Sequence, residues 1–427
     1  MSNEMLLIFL IGGFLLLTIL RVPVAFSLAI SSLLTLLLID KGPILLVQRM
    51  YASLEYYPLL AIPFFTLVGV LMSSGTSMDR ILEISRAFIG HMKGSLAQIN
   101  ILVSMLFAGV SGTSTSDTAG IGGILIPAMK RSGYPAPFTV AVTAASSTIG
   151  TIIPPSVLMI VFGSTANVSV SKLFLGGAIP GILVGVIQMI YSYVLAKKYN
   201  WPSNDRVSWR EKLLALLRGI PPMLVPVIII AGILAGIFTA TEAGCIAAVY
   251  AVLLGIFYRE INLRNFTEIL TKAAKTLALP LFCISTSTVF GWLLAYLDAP
   301  SMISGWVLSF TSSRAIGLIC IFVMFFVVGM FIDGVPAIII FAPVAVAIAE
   351  ALGIPLIQVG IVCCMTASLG LITPPFGLCL LMAAKLGDVE IIPAIKAAIP
   401  FVALFGLTIL LVILIPPLCT LLPKLVA

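Results

Sequence analysis

Long apolar runs separated by short polar stretches extend along this whole chain, and they predict membrane-spanning helices. Two further apolar stretches, at 94–130 and 315–350, are each about as long as two helices, with polar or glycine-rich residues at the centre. Such an interruption is typical of a re-entrant hairpin. We therefore predict an all-α polytopic membrane protein with two re-entrant hairpins and about ten spans, near residues 4–20, 24–39, 59–76, 137–168 (broken), 174–196, 221–238, 240–257, 277–297, 357–384 (broken) and 399–422.

One motif occurs twice inside these spans. Gly-Thr-Ile-Ile-Pro-Pro at 150–155 recurs 220 residues later as Gly-Leu-Ile-Thr-Pro-Pro at 370–375. Proline breaks a helix and frees backbone groups that hydrocarbon cannot satisfy, so such a break persists where it lines a polar site. Other Gly and Pro matches follow in the same order, at 133–135 and 353–355, 178–180 and 398–400, and 60–63 and 277–280. The sequence thus predicts one fold built twice, with a site at the two breaks.

Composition and charge support a membrane protein. Hydrophobic residues make up 61% of the chain, charged residues 9%, and the mean hydropathy is +1.22. The net charge of +7 is explained by cytoplasmic anchoring residues rather than by a nucleic-acid partner. Placing the 197–218 loop in the cytoplasm puts 18 of the 23 Lys and Arg there, and leaves outside only Lys41, Arg49, Lys172, Arg314 and Lys424.

This path across the membrane predicts that the second half is inverted relative to the first. Both termini then face the side of the membrane opposite the cytoplasm. Inverted repeats with broken helices that meet near the midplane are typical of secondary transporters. Stretches 40–58 and 258–275 precede matching spans and are predicted to be amphipathic arms on the membrane surface.

The first hairpin tip, residues 111–117, is a run of small and polar residues between apolar helices. Its oxygen atoms, with freed carbonyls of the following break, are suited to a hard monovalent cation. We predict a sodium site at Ser111, Ser114, Gly150, Thr151 and Ile153. Two alternatives stay open: the hydroxyls only let helices pack closely, and Asp117 only caps the return helix.

The second tip, residues 329–336, places Asp333 between apolar helices, where an ionisable residue is expected to be functional. The alternative is a helix cap before Pro336. We predict a second sodium site at Gly329, Asp333, Gly334, Gly370 and Thr373. Ser156 starts a half helix whose N-terminal amides favour a carboxylate. The predicted substrate contacts are Ser111, Ser114, Thr115, Ser116, Ser156 and Asp333.

The sequence leaves other functional classes to be weighed. An intramembrane enzyme needs a catalytic dyad within the spans, and only isolated acids are present, so we predict that the chain is not an enzyme. A channel does not require two matched broken helices. A single-component sodium/dicarboxylate symporter of related fold shares the repeat and the hairpins but works without a soluble receptor.

The chain resembles the large membrane subunit of tripartite ATP-independent periplasmic (TRAP) transporters over essentially its whole length. The resemblance rests on four segments, 111–134, 143–156, Thr-Ala-Thr-Glu-Ala-Gly at 239–244, and Leu-Ile-Thr-Pro-Pro-Phe-Gly at 371–377. It is most similar to the sialic-acid branch. One departure is Thr-Ser-Thr at 113–115, where relatives often have alanines.

The resemblance implies uptake of a carboxylate, with Na+ as the coupling ion and no organic cofactor. Sialic acid is favoured, and C4-dicarboxylates or other organic acids are the alternative. It implies a multi-pass protein of the bacterial inner membrane with both termini in the periplasm. It also implies two partners, a small membrane subunit of four helices and a periplasmic substrate-binding protein. It also implies an elevator, in which a transport domain (94–196 and 315–427) slides against a scaffold (1–93 and 197–314).

Overall fold

The computed structural model describes residues 2–73 and 75–425, and those residues form helices and connecting turns without strands. This confirms the predicted all-α class. Met1 and Ala427, the termini that we expect in the periplasm, lie outside the described residues, as does one residue of the span predicted at 59–76. The helices are α1 (Asn3–Ile19), α2 (Val24–Leu38), α3 (Ile44–Leu54), α4 (Ala61–Met72), α5 (Thr76–Ile89), α6 (Ser95–Ser111), α7 (Ser114–Arg131), α8 (Ala136–Ser147), α9 (Val157–Ala166), α10 (Val170–Lys198), α11 (Trp209–Leu234), α12 (Ala240–Phe257), α13 (Leu263–Tyr296), α14 (Ala299–Phe310), α15 (Arg314–Gly329), α16 (Gly334–Leu352), α17 (Leu356–Gly370), α18 (Leu378–Gly387), α19 (Ile391–Leu414) and α20 (Pro417–Leu425).

Six of the helices in the described residues are long and apolar enough to cross a membrane. A seventh span is counted if α3 and the segment Tyr57–Met72, which meet at 63°, are taken together. The other apolar helices are shorter and include the parts of both hairpins and both broken helices. The count of ten crossings therefore remains a prediction.

The repeat is visible as an order of elements. Helix pair α6–α7 precedes the broken helix α8–α9 in the first half, as pair α15–α16 precedes α17–α18 in the second. The packing is exchanged between halves, because α9 packs on α16 and α18 packs on α7. Lys130 at the end of α7 donates a 2.6 Å hydrogen bond to the Gly387 carbonyl at the end of α18. The two halves thus share one core.

The bounds of two predicted stretches, the loop at 197–218 and the span at 399–422, were wrong. The 197–218 stretch is not a loop throughout, because α10 reaches Lys198 and α11 begins at Trp209 behind a capping box of Ser208 and Glu211. The last predicted span, 399–422, is divided: α19 runs from Ile391 to Leu414, and Ile415 and Pro416 separate it from α20. The charged residues at the end of α10 and the start of α11 resemble a loop in the sequence.

The two predicted arms differ. Arm 40–58 contains the separate helix α3, followed by a bend next to Pro58. Arm 258–275 is not separate, because α13 continues from Leu263 through the predicted span to Tyr296. No Gly or Pro stands between 263 and 279 to break it. The third predicted span, 59–76, ends earlier, at Met72, and α5 begins at Thr76.

A capping box of Thr239 and Glu242 stands at the start of α12. The Thr239 hydroxyl accepts from the Glu242 amide at 3.3 Å, and the Glu242 carboxylate accepts from the Thr239 amide at 2.8 Å. These bonds satisfy amides that the helix itself leaves free. Thr239 and Glu242 therefore have a structural role.

Candidate cation and substrate site

The first hairpin tip is shorter than the polar run suggested. Helix α6 ends at Ser111 and α7 begins at Ser114, so only Gly112 and Thr113 lie outside helix. Gly112 has φ +63°, and a Cβ there would lie 3.0 Å from the Pro155 carbonyl oxygen. Since the Gly112 carbonyl also accepts from the Val157 amide at 3.3 Å, the tip is bonded directly to the first helix break.

Hydroxyl groups from three elements meet at this contact. The Thr151 hydroxyl oxygen, in the turn of residues 148–151 that follows α8, lies 3.1 Å from that of Ser114 on α7. It also lies 2.6 Å from the hydroxyl oxygen of Ser368 on α17. All three residues are buried. Predicted ligands Ser114 and Thr151 are thus brought together, and they connect to the second broken helix through a residue that we had not predicted.

Asp117 is fully buried in the first turns of α7. The Ser111 hydroxyl donates to its Oδ1, while its Oδ2 has no hydrogen-bond partner among the described residues. A Cβ added to Gly150 would lie 2.2 Å from that Oδ2. The capping interpretation of Asp117 was wrong, because the N-cap of α7 is Thr113, and in the described residues neither carboxylate oxygen of Asp117, in the first turn, accepts from a backbone amide.

The atoms at this point suit a cation. A buried carboxylate oxygen without a donor is costly unless a positive charge or a donor reaches it. The Thr113 hydroxyl oxygen is also buried without a partner in the described part of the chain. With the hydroxyls of Ser114 and Thr151, these groups form an all-oxygen set, which a hard cation such as Na+ prefers.

The other residues predicted at this site lie around its edge. Thr115 and Ser116 are half-buried on the first turn of α7. The Ile153 side chain packs on α10, where a Cβ at Gly181 would lie 2.6 Å from it, so only its backbone is left for the site. These positions leave Thr115 and Ser116 as the more accessible hydroxyls.

Ser156 caps α9. Its hydroxyl donates to the Thr151 carbonyl and accepts from the Met159 amide at 3.3 Å. Because Val157 donates to Gly112, two amides of the first turn of α9 are already bonded. The structure therefore shows Ser156 closing the break.

The second tip is built on backbone contact. A Cβ at Gly370 would lie 2.4 Å from the Gly329 carbonyl oxygen, so α15 and α17 meet without side chains between them. Asp333 accepts from the Gly334 amide at 2.8 Å and caps α16. The Thr373 hydroxyl donates to the Leu369 carbonyl at 2.8 Å. The structure thus confirms the capping geometry of Asp333, and pairs Gly329 with Gly370.

Helix α18 joins the second broken helix to the first hairpin, because it packs on α7, the helix that carries Asp117. Both Pro–Pro bonds of the breaks are cis. The first hairpin and the second broken helix thus share one packed region.

Comparison with known proteins identifies the family. Residues 11–418 match the family model described as "Tripartite ATP-independent periplasmic transporter, DctM component". The chain belongs to this family. It is 34% identical over 405 residues to the sialic acid TRAP transporter large permease SiaM of Vibrio cholerae, covering 94% of this chain and 95% of that one. It is 35% identical over 400 residues to the C4-dicarboxylate TRAP transporter large permease DctM of Pseudomonas aeruginosa, covering 93% and 94%.

A solved structure shares the fold. The YdaH transporter of Alcanivorax borkumensis superimposes with a TM-score of 0.59 over 86% of each chain, at 15% identity. The chain is therefore a multi-pass membrane component of a TRAP transporter. The identities to the two permeases are nearly equal, so family membership leaves the substrate open.

Proposed function

We propose that this TRAP permease couples the inward sodium gradient to the uptake of a carboxylate across the inner membrane. Sialic acid is the substrate that we favour, because the sequence resembles the sialic-acid branch of the family, of which SiaM is one relative. The single observation that carries sodium coupling is the unpartnered, fully buried Oδ2 of Asp117, which lies beside the first break. An internal carboxylate in this position is satisfied by a cation that arrives from outside the protein.

The residues of the first cation site have different roles. Asp117 supplies charge, Thr113, Ser114 and Thr151 supply neutral oxygens, and Gly150 leaves the room that the carboxylate needs. The second cation is assigned to the region of Gly329, Asp333, Gly370 and Thr373. There the Gly329 carbonyl oxygen lies at the close contact of α15 and α17, and Asp333 supplies charge.

The substrate carboxylate is assigned to the tip hydroxyls, chiefly Thr115 and Ser116. The amides of Val157 and Met159 are already bonded, so α9 contributes through the positive end of its dipole rather than through those amides. The other predicted substrate residues then surround the carboxylate site without being its chief contacts; they are Ser111, Ser114, Ser156 and Asp333. Sodium beside the carboxylate offsets its charge, which links the binding of the two.

Contacts between the hairpins and the remaining helices support an elevator. A Cβ at Gly69 of α4 would lie 3.4 Å from Ser111 Cα. A Cβ at Gly291 of α13 would lie 3.2 Å from the Ile339 carbonyl oxygen on α16. Glycine contacts give a smooth surface with few directional bonds to break, as sliding of residues 94–196 and 315–427 against the rest requires.

The proposal includes two partners, a small membrane subunit of four helices and a periplasmic substrate-binding protein, in an arrangement with both termini periplasmic. Uptake into proteoliposomes tests it. We expect uptake to need an inward sodium gradient, the small subunit and the loaded binding protein, and to proceed without ATP. Transport by the purified chain alone would instead identify a single-component symporter.

A second substrate class has its own observation, the 35% identity to the C4-dicarboxylate permease. The same proteoliposomes distinguish the two classes when loaded binding proteins for sialic acid and for succinate are supplied in turn. Uptake of succinate and not of sialic acid would replace the favoured substrate while leaving the sodium mechanism intact.

A further inference from the structure

A buried polar network joins the first hairpin to the first broken helix. It comprises Asn100 and Ser104 on α6, and Thr143 and Ser146 on α8, and each is 0% exposed. Asn100 donates to the Thr143 hydroxyl at 2.7 Å and accepts from the Ser146 hydroxyl at 3.3 Å. Ser104 donates to the Ser146 hydroxyl at 2.9 Å. We call these four residues the α6–α8 clamp.

The clamp lies directly behind the first cation site. From the clamp, α6 continues to Ser111 and α8 continues to the turn that contains Thr151. Ser104 precedes Ser111 by two helical turns, and Ser146 precedes Thr151 by little more than one. A shift between α6 and α8 at the clamp would therefore move the tip hydroxyls relative to the break.

The second half lacks this chemistry. At the repeat spacing of 220 residues, the clamp positions correspond to Cys320, Met324, Cys363 and Thr366. The Thr366 hydroxyl donates to the Val362 carbonyl of its own helix at 2.6 Å. Helices α15 and α17 nevertheless pack together, so the fold itself does not require an amide and three hydroxyls at these positions.

We propose that the α6–α8 clamp is a positioning device for sodium. It holds the first tip and the first break in register, so that Ser114, Asp117 and Thr151 are arranged before the ion arrives. Burying polar groups costs free energy of desolvation. Directional hydrogen bonds such as these offset that cost and fix one geometry. In the second site, where α15 and α17 pack together, the described residues at the corresponding positions form no hydrogen bond between the two helices. The proposal deepens the proposed function and rests on its sodium coupling.

Two substitutions test the clamp against a matched control. Asn100→Leu keeps a similar volume without hydrogen bonds, and Ser146→Ala removes one hydroxyl. The control is Thr366→Val, which removes the hydroxyl at the position that corresponds to Ser146 in the second half. Each variant is purified with the small subunit, and its melting temperature is followed as NaCl replaces choline chloride at constant ionic strength.

The expected result concerns the sodium dependence rather than stability alone. We expect the half-saturating sodium concentration to rise roughly three- to tenfold in Asn100→Leu and Ser146→Ala, as loss of one or two bonds that hold a preformed site implies. It should stay at the wild-type value in Thr366→Val. Sodium-dependent uptake should show the same ordering. If Asn100→Leu does not fold, Ser104→Ala combined with Ser146→Ala takes its place.

The contrary results are distinct. A lower melting temperature at every sodium concentration, with unchanged half-saturation, would show that the clamp only packs the helices and would overturn the positioning role. Wild-type protein that gains no stability from sodium would contradict the sodium coupling of the proposed function itself.

Discussion

The hydroxyl oxygens of Thr151 and Ser368 lie 2.6 Å apart, so the two broken helices touch beside the first hairpin tip. Thr151 is also 3.1 Å from Ser114. One hydroxyl therefore connects the first tip, the first break and the second broken helix. A change at the first tip can therefore affect the second broken helix through the Thr151 hydroxyl.

Thr151→Val should reduce uptake more than Ser368→Ala does. The valine removes the contacts of the hydroxyl with Ser114 and Ser368 and its bond to the Thr148 carbonyl, whereas the alanine leaves the pair of Thr151 and Ser114 in place. Initial uptake rates at saturating and limiting sodium measure the difference, and the sodium requirement should rise chiefly in Thr151→Val. Equal rates in the two variants would mean that Thr151 acts only through Ser368.

Gly150→Ala and Gly370→Ala should each abolish transport. The added Cβ would lie 2.2 Å from Asp117 Oδ2 in the first and 2.4 Å from the Gly329 carbonyl oxygen in the second. The control is Gly123→Ala on α7, where nothing lies within 4 Å of the added atom. All three variants are compared for insertion, monodispersity and uptake. Active Gly150→Ala protein would show that the carboxylate is free to leave the break.

Asp333→Asn should impair transport without impairing folding. The amide keeps the shape and the cap on Gly334, so a purely capping role predicts a loss of at most about 1 kcal/mol of stability and near-normal uptake. A cation or substrate role predicts normal purification with uptake reduced about tenfold or more, or a markedly raised sodium requirement.

Asp117→Asn, studied under the same conditions, tests the asymmetry between the tips. Asp117 caps nothing, and its Oδ2 has no partner in the described residues, so its charge should matter only for the cation. We expect the Asp117→Asn protein to fold normally, but we expect sodium not to stimulate its uptake. Wild-type uptake by Asp333→Asn would leave the second hairpin without its assigned site.

The orientation in the membrane follows from the distribution of Lys and Arg. Cysteines placed at Ser2 and Ser208 should be labelled from opposite sides, Ser2 from the periplasm and Ser208 from the cytoplasm. An impermeant maleimide applied to spheroplasts and to inverted vesicles gives the answer. Labelling of both from one side would contradict the predicted odd number of crossings between them.

Those features of the fold that depend on local chemistry could be predicted from the sequence. The Pro–Pro pairs at 154–155 and 374–375 mark both breaks because proline cannot continue a helix. The polar run at 111–117 marks the first tip because it interrupts an apolar stretch, and Gly112 within it adopts the left-handed backbone of the turn. Helices α5, α14 and α20 were missed, because their polar or short sequences resemble loops when read against a span of about 20 residues.

Which polar side chains contact each other between helices could not be predicted from the sequence. Ser368 sits in an apolar run, and its contact with Thr151 depends on how the two halves pack. The 220-residue spacing, which pairs Ser368 with Thr148, was the one signal that could have suggested it. Asn100 likewise looks like an isolated polar residue until Thr143 and Ser146 are brought beside it.

The central claim is that sodium enters through the site at Asp117 together with the substrate. The most direct measurement is the flux of radioactive sodium into proteoliposomes that hold both membrane subunits, with and without the loaded binding protein. We predict sodium entry that appears only with substrate and is absent in Asp117→Asn. Substrate uptake of the same rate in choline chloride, with no accompanying sodium, would contradict the account.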